Sequence, residues 1–100
     1  MGDFIDELEA LLKKGGGASL RDLEGRVRER FGEEARVSKS LINYYLLRKT
    51  VPTYPAIYQL AVALDLDAKK LLDKLHEYRK RCRVEEEEEA YRSFLKSTGL

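Results

Sequence analysis

The chain has little with which to build a redox, metal or membrane function. Its 100 residues include one cysteine, Cys82, and one histidine, His76, so an internal disulfide is excluded and a metal site would lack ligands. No apolar run approaches the roughly 18 residues of a membrane span, and no charged-then-apolar N-terminus precedes a small-residue cleavage site. We therefore expect an intracellular protein located in the cytoplasm, where thiols stay reduced.

A catalytic site is not indicated either. His76 and Cys82 lie six residues apart in a segment predicted to be helical, which separates them by about 240° around the helix axis. No nucleophile, base and orienting group occur at a recognisable spacing. We interpret His76 as a surface residue, and we expect no enzyme activity, no cofactor and no small-molecule ligand.

Charge is balanced in total but unevenly distributed along the chain. The formal net charge is +1, yet residues 1–83 hold 17 basic against 13 acidic side chains, and residues 84–100 hold two against five. No acid occurs between residues 35 and 64, a stretch with four basic residues: Arg36, Lys39, Arg48 and Lys49. Such a local positive field suits contact with phosphates. Chance clustering in a charge-rich chain is the alternative.

Glycine and proline residues mark the ends of predicted helices along the chain, and no strand is indicated. Glycines 15–17 and Gly32 are the expected helix stops, and apolar residues recur at three- and four-residue spacing. Caps predict the helix starts: Asp3, Ser19 with Asp22 in a capping box, Ser38 and Asp67. The predicted fold is all-α, a single domain with helices over residues 4–14, 19–31, 39–48, 55–64 and from 68 onward.

The stretch from residue 37 to residue 72 resembles the helix-turn-helix domain of phage-repressor-like regulators, the XRE type. A Ser-led helix at Ser38 is followed by Arg48, Lys49 and Pro52, and then by Leu-Ala-Val-Ala-Leu at residues 60–64. The resemblance implies a five-helix domain that binds double-stranded DNA. With its extended C-terminal helix, the chain is also similar in architecture to a mycobacterial nucleoid-associated secretion regulator of the same superfamily.

The resemblance makes the segment after Ser38 the recognition helix. A Ser N-cap satisfies one free N–H, and the exposed helix N-terminus can face a phosphate. Apolar spacing directs Leu41, Ile42 and Tyr45 inward. The outer side then holds the four residues expected in the major groove: Lys39, Ser40, Asn43 and Tyr44. These side chains can meet guanine, adenine and the thymine methyl, although any solvated helix shows a similar outer side.

The segments on either side of this helix include an expected contact and two departures from the family pattern. Arg48 and Lys49 are expected at the sugar–phosphate backbone, where such residues set register. The turn at residues 33–37 is longer than the family's usual three or four residues. Leu46 and Leu47 are both apolar, where the family often has a polar residue and then a glycine near Arg48. We expect both leucines to pack deeply, covered by the N-terminal helix, rather than to contact another protein.

The predicted last helix carries an apolar stripe that continues beyond the point where the core is covered. A second chain is the simplest cover for such a stripe. We therefore divide the chain into a DNA-binding domain over residues 1–75 and a helical extension over residues 76–100 that dimerises. The predicted dimer interface comprises Leu75, Tyr78, Cys82, Tyr91, Phe94 and Leu95. The residues beyond Tyr91 could instead fold back onto the chain.

The predicted function is that of a homodimeric, sequence-specific transcriptional regulator that binds double-stranded DNA in the nucleoid. Two recognition helices would enter successive major grooves, with half-sites about one helical turn apart. The alternative is a protein-interaction module on the same scaffold. It would hold a polymerase subunit, a repressor or a toxin through Tyr44, Tyr45, Leu46 and Leu47.

Overall fold

The computed structural model describes residues 3–14, 19–82 and 87–99, and within these ranges the chain forms six α-helices and no strand. The helices are α1 (Phe4–Lys14), α2 (Leu20–Phe31), α3 (Lys39–Leu46), α4 (Tyr54–Ala63), α5 (Ala68–Arg81) and α6 (Glu87–Thr98). The predicted all-α class is confirmed. The helix stop predicted at glycines 15–17 lies outside the described residues.

Side-chain caps begin α2 and α5, as their sequences predicted. Ser19 Oγ accepts the Asp22 N–H at 3.2 Å, and the Asp22 carboxylate accepts the Ser19 N–H at 3.3 Å. At the start of α5, Asp67 accepts the Lys70 N–H at 3.2 Å. Each cap satisfies a backbone donor that has no partner inside its own helix.

The turn between α2 and α3 is long but anchored. Gly32 ends α2 with φ +60°, a left-handed conformation that glycine adopts without steric cost. A short 3-10 turn, Gly32–Glu34, follows. The buried Gln59 of α4 donates to the Glu34 carbonyl at 2.9 Å and accepts the Arg36 N–H at 2.7 Å. Because both ends of this amide are bonded, α4 fixes the backbone that leads into α3.

Helix α4 is the centre of the core and packs against α2, α5 and α6. Its Ile57, Leu60 and Ala61 are at most 1% exposed. The small alanine allows neighbouring helices to approach closely, and each large side chain contributes about 1.5–3 kcal/mol through its burial. Side chains from the five other helices and from the turn before α3 complete the core: Phe4, Ile5, Leu8, Leu12, Leu23, Val27, Val37, Ile42, Tyr45, Leu71, Leu72, Leu75 and Tyr91.

The prediction of five helices with one extended last helix is wrong, because the chain folds back. Helix α5 ends at Arg81, and the separate helix α6 packs against α4 and α5. In one continuous helix His76 and Tyr91 would lie about 22 Å apart along the axis, whereas their ring centroids are 4.4 Å apart. Burial of large aromatic rings favours this return over an uncovered extension. The domain boundary predicted after residue 75 falls inside α5.

Candidate nucleic-acid interface

Helix α3 has one buried side and one exposed side, in the register that its apolar spacing predicted. Ile42 and Tyr45 are at most 1% exposed, and Leu41 is half-buried. Five exposed residues lie opposite them and form what we call the α3 face: Lys39, Ser40, Asn43, Tyr44 and Leu47. In the part of the chain that the structure describes, no protein group bonds to the side chains of Ser40 and Asn43. Their donors and acceptors therefore remain open to solvent or to a ligand.

Ser38 caps the N-terminus of α3, as predicted. Its Oγ accepts the Leu41 N–H at 3.1 Å, and its carbonyl accepts the Ile42 N–H at 3.0 Å. The Lys39 N–H donates at 2.8 Å to a carboxylate oxygen of Glu24 from α2. An acid therefore already lies at the helix end that was expected to face a phosphate, since a helix N-terminus attracts either anion. A phosphate at this end has to displace Glu24 or share its position.

Arg48 follows α3 in a left-handed conformation, with φ +59°. Its Nη2 donates at 3.0 Å to Asp3 and at 3.0 Å to Asp6, both of the α1 N-terminus. These two bonds raise the pKa of Arg48. Partial burial acts to raise the pKa of Asp3, but the Asp6 N–H and Arg48 outweigh it and the pKa is lowered. The cation expected at the DNA backbone is therefore engaged by two carboxylates of its own chain.

Lys49 lies beside the α3 face and stays exposed. Its N–H donates to the Tyr44 carbonyl at 2.9 Å, and its Nζ lies 5.8 Å from the centre of the Tyr44 ring. An ammonium over a ring face at an exposed site contributes about 0.5–1 kcal/mol. The contact places a positive charge at the edge of the α3 face, and no carboxylate among the described residues pairs with it.

The two leucines after the predicted reading residues lie in different environments. Leu46 is half-buried in a groove between α1 and α2, close to Leu12 and Leu23, so the expectation of deeper packing is confirmed for it. Leu47 is 56% exposed, so that expectation is wrong for it. Successive helical residues differ in direction by about 100°, and the edge of α3 that meets α1 therefore accommodates only the first leucine.

The surroundings of α3 are less positive than the acid-free stretch of sequence indicated. Three carboxylates from α1 and α2 fold against that stretch: Asp3 and Asp6 at Arg48, and Glu24 at the Lys39 N–H. The side chains of Lys39 and Lys49 remain exposed, one near each end of the α3 face. The positive charge that remains at the α3 face is therefore that of these two lysines, whose field extends over a Debye length of about 8–10 Å.

The apolar stripe on α5 is covered by the same chain. Leu75 is fully buried. Tyr78 lies against Phe4 of α1 with 5.9 Å between ring centroids, and burial, with the neighbouring Cys82, raises the pKa of its hydroxyl. Cys82, just after α5, is exposed. A second chain is therefore not needed to cover this stripe.

Helix α6 supplies the rest of the cover through its aromatic side chains. Tyr91 is buried, and Phe94 and Leu95 are half-buried against the core. The Tyr54 ring of α4 lies 5.0 Å from the Tyr91 ring and 5.8 Å from the Phe94 ring. We call this group the aromatic cluster: Tyr54, Tyr58, His76, Tyr91 and Phe94. The residues predicted at a dimer interface thus have partners within the chain, and the dimer itself stays a prediction.

The expectation that His76 lies on the surface is wrong. Its ring is 7% exposed, stacks on Tyr91, and places Nδ1 3.0 Å from the Tyr54 hydroxyl oxygen. The Tyr91 hydroxyl donates to the Asp73 carboxylate, which Lys69 also holds at 2.8 Å. The Lys69 bond first, and then the Tyr91 bond, lower the pKa of Asp73, while burial and Asp73 raise that of Tyr91.

Two structurally important residues were not identified from the sequence as part of this arrangement. Gln59 lies between the apolar Ile57 and Leu60, and a polar residue inside a buried helix segment is a signal for a buried hydrogen bond. Leu47 is seven residues from Ser40 and three from Tyr44, which is the spacing of a common helix face. Both signals were present in the sequence, but the partners of Gln59 lie 23 and 25 residues away.

Comparisons of the chain with protein-family models, with curated proteins and with solved structures gave no match. Over residues 3–14, 19–82 and 87–99, no three His, Cys, Asp or Glu residues converge to hold a metal ion. Nor does any helix in those ranges combine the length and apolar character required to cross a bilayer. The α3 face is accordingly the candidate site whose geometry we interpret.

Proposed function

We propose that the chain is a repressor-like helix-turn-helix regulator that binds double-stranded DNA sequence-specifically, with α3 in the major groove. The observation that carries the proposal is the two-sided burial of α3. Ile42 and Tyr45 anchor one side in the core, while Lys39, Ser40 and Asn43 are exposed on the other. To read base pairs in a major groove about 12 Å wide, a helix has to be firmly held and has to present hydrogen-bonding side chains that have no partner in the protein.

Each polar residue of the α3 face has a chemistry suited to base edges. Lys39 can donate to guanine O6 and N7, and Asn43 can both donate to and accept from adenine. Ser40 can act in either direction. Lys49, at the edge of the face, supplies a phosphate contact that sets register without reading sequence. Arg48 can add a second phosphate contact, after exchange of its two carboxylate partners for phosphate.

The attachments of α3 support this role because they fix its direction before DNA arrives. Gln59 holds the turn before the helix, and Ser38 caps its first turn. A preorganised helix loses little conformational freedom on binding, so more of the contact energy appears as affinity.

A homodimer on a two-fold operator belongs to the same proposal, with half-sites about one helical turn apart. Leu75 and Tyr91 are buried within the chain. The surface left for a dimer contact is therefore Cys82 together with the half-buried edges of Tyr78, Phe94 and Leu95. A location in the cytoplasm, on the nucleoid, would follow from this function.

A random-site selection on duplex DNA with the purified full-length chain tests the proposal. We expect enrichment of one motif at low salt, because counterion release strengthens binding under that condition. A palindrome with half-sites one turn apart would indicate a dimer, and a single half-site a monomer. Absence of any enriched motif, from protein whose circular dichroism shows folded helices, would refute the proposed DNA binding.

Two matched lysine variants localise the contact. Lys39→Ala should weaken binding to the recovered duplex about tenfold and relax the motif at one base pair. Lys69→Ala removes the same charge from α5, where Lys69 is paired with Asp73, and should leave the affinity unchanged. Equal losses in the two variants would mean that the α3 face is not the contact surface.

A protein-interaction module on the same scaffold is the second candidate, and one observation favours it. Arg48 is neutralised by Asp3 and Asp6, while Tyr44 and Leu47 are exposed large apolar side chains. Apolar and aromatic groups with few net charges are typical of the core of a protein interface. This candidate predicts no duplex shift at low salt, and loss of a protein partner on Leu47→Asp.

A further inference from the structure

Leu47 lies on the centre line of the α3 face, at its C-terminal end, although it follows the last residue of α3. Its φ −85° and ψ 1° keep it close to helical geometry, and its N–H donates to the Asn43 carbonyl at 2.9 Å. At about 100° per residue, Leu47 lies within roughly 60° of Ser40, Asn43 and Tyr44 around the helix axis. The side chain is therefore surrounded by the residues to which we assign base contacts.

The apolar part of the face is a patch and not a single side chain. Leu47 is 56% exposed and Tyr44 is 48% exposed. Single exposed leucines are common on protein surfaces, but a leucine and a tyrosine together at one end of a binding face indicate an apolar contact. The preceding Leu46, by contrast, is half-buried between α1 and α2.

The α3 face has a polar end and an apolar end. Lys39 and Ser40 lie at its N-terminal end, Asn43 lies between, and Tyr44 and Leu47 lie at its C-terminal end. In the major groove every unmodified base pair offers hydrogen-bonding groups, but only thymine offers an apolar one, its C5 methyl. An apolar end on a groove-reading helix therefore matches thymine.

We propose that Leu47, together with Tyr44, reads thymine methyl groups at one end of each half-site. Because Leu47 can meet a base only with α3 in the groove, this inference rests on the proposed function. The exposed cations Lys39 and Lys49 lie near opposite ends of the face and favour DNA over an uncharged apolar partner as its occupant. Lys39, Ser40 and Asn43 read hydrogen-bonding groups, so Leu47 and Tyr44 determine specificity for thymine.

The test compares duplexes with and without thymine methyls. Wild-type chain is titrated with the duplex recovered by random-site selection, and with the same duplex carrying deoxyuridine at every thymidine, which removes only the methyl groups. We expect about fourfold weaker binding to the uracil duplex for each contacted methyl. Leu47→Asn, which keeps the size of the side chain but not its apolar character, should lose the part of this preference that Leu47 supplies and retain only the part that Tyr44 supplies.

Matched controls separate this inference from the function on which it rests. Leu47→Asn changes an exposed side chain and should keep the wild-type melting temperature; if it melts lower, Leu47→Ala replaces it. Lys69→Ala should keep the wild-type preference for thymine.

Three results would overturn the inference while leaving DNA binding intact. They are equal wild-type affinity for both duplexes, a thymine preference that Leu47→Asn leaves undiminished, or a recovered motif without thymine. Any of these results would mean that Tyr44 and Leu47 contact a protein partner instead of thymine. Failure of the folded wild-type chain to bind either duplex at low salt would overturn the proposed function, and this inference with it.

Discussion

The α3 face and the apolar stripe on α5 had similar sequence patterns, but the folded chain treats them differently. Both continue apolar spacing past the point where a small core is complete. Tyr44 and Leu47 of the α3 face remain about half exposed. On α5, Leu75 is fully buried and Tyr78 is covered by Phe4.

The difference lies in what the rest of the chain supplies. The α5 stripe is flanked by Asp73 and His76, whose polar atoms bond to Tyr91 and Tyr54, so that α6 has both an apolar surface and fixed polar partners. Among the described residues, no helix brings such partners to the outer side of α3. An apolar stripe becomes core when its own chain supplies covering side chains and hydrogen-bond partners. A stripe without them stays available for another molecule.

The largest expected effect is a difference in stability between two tyrosine variants, one from each region. Tyr91→Ala should destabilise the fold by about 3 kcal/mol, because it removes a buried ring that contacts Tyr54 and His76. Tyr44→Ala removes an exposed ring and should change stability by less than about 0.5 kcal/mol. Urea unfolding followed by circular dichroism measures both. Similar losses in the two variants would contradict the contrast between the regions.

The next expected effect is on DNA affinity, to which the α3 face should contribute and the α5–α6 region should not. Asn43→Ala should weaken binding to the selected duplex about tenfold, since one bidentate adenine contact is worth about 1–3 kcal/mol. Tyr91→Phe keeps the buried ring and should bind as wild type does. Fluorescence anisotropy with labelled duplex gives both affinities. Weaker DNA binding by Tyr91→Phe, with unchanged binding by Asn43→Ala, would mean that α6 and not α3 contacts the DNA.

A pH effect should distinguish the α5–α6 region from the α3 face. The pKa of Asp73 is lowered by Lys69 and Tyr91, so its stabilisation is complete above the unfolded value of about 4 and is lost as pH falls through the lower folded value. Asp73→Asn should therefore flatten the acid limb of the stability profile.

The pKa of Tyr91 is raised by burial and by Asp73, so its contribution to stability changes with pH in the opposite direction. Its stabilisation is complete below about pH 10 and is lost as pH rises through the higher folded value. Tyr91→Phe should therefore flatten the alkaline limb. Melting temperatures between acid and alkaline pH measure both limbs, and Asn43→Ala, on the α3 face, should retain both unchanged.

The smallest expected effect concerns two adjacent cations. Lys49→Ala should reduce the slope of log affinity against log salt by about one, the loss of one phosphate contact. Arg48→Ala should reduce it less, because Arg48 has to leave Asp3 and Asp6 before it meets a phosphate. Affinity titrations at several salt concentrations give the slopes. A larger loss from Arg48→Ala would show that the carboxylates yield to DNA without cost.

Local features were predictable from the sequence. The Ser38 and Ser19 caps act on backbone groups three residues away, and the inward side of α3 follows from spacing within eight residues. Such features depend on the geometry of one helix, which the period of the sequence determines. The exposed positions of Lys39, Ser40, Asn43 and Tyr44 follow from the same period.

The features that the sequence did not predict depend on distant partners. Arg48 meets acids more than 40 residues away, and His76 meets Tyr54 at a separation of 22 residues. The return of α6 brings the Tyr91 hydroxyl to Asp73, 18 residues away. A stretch without acids in sequence was therefore not a region without acids in space, and an apolar stripe at the end of the chain was not an exposed one.

Amide chemical shifts of the isotopically labelled chain, recorded while the selected duplex is added, test the central claim most directly. If the α3 face binds DNA, the largest shift changes will fall on Lys39, Ser40, Asn43, Tyr44 and Leu47, and the amides of α6 will stay nearly unchanged. The account would be contradicted by changes concentrated on α5 and α6, or by none at low salt.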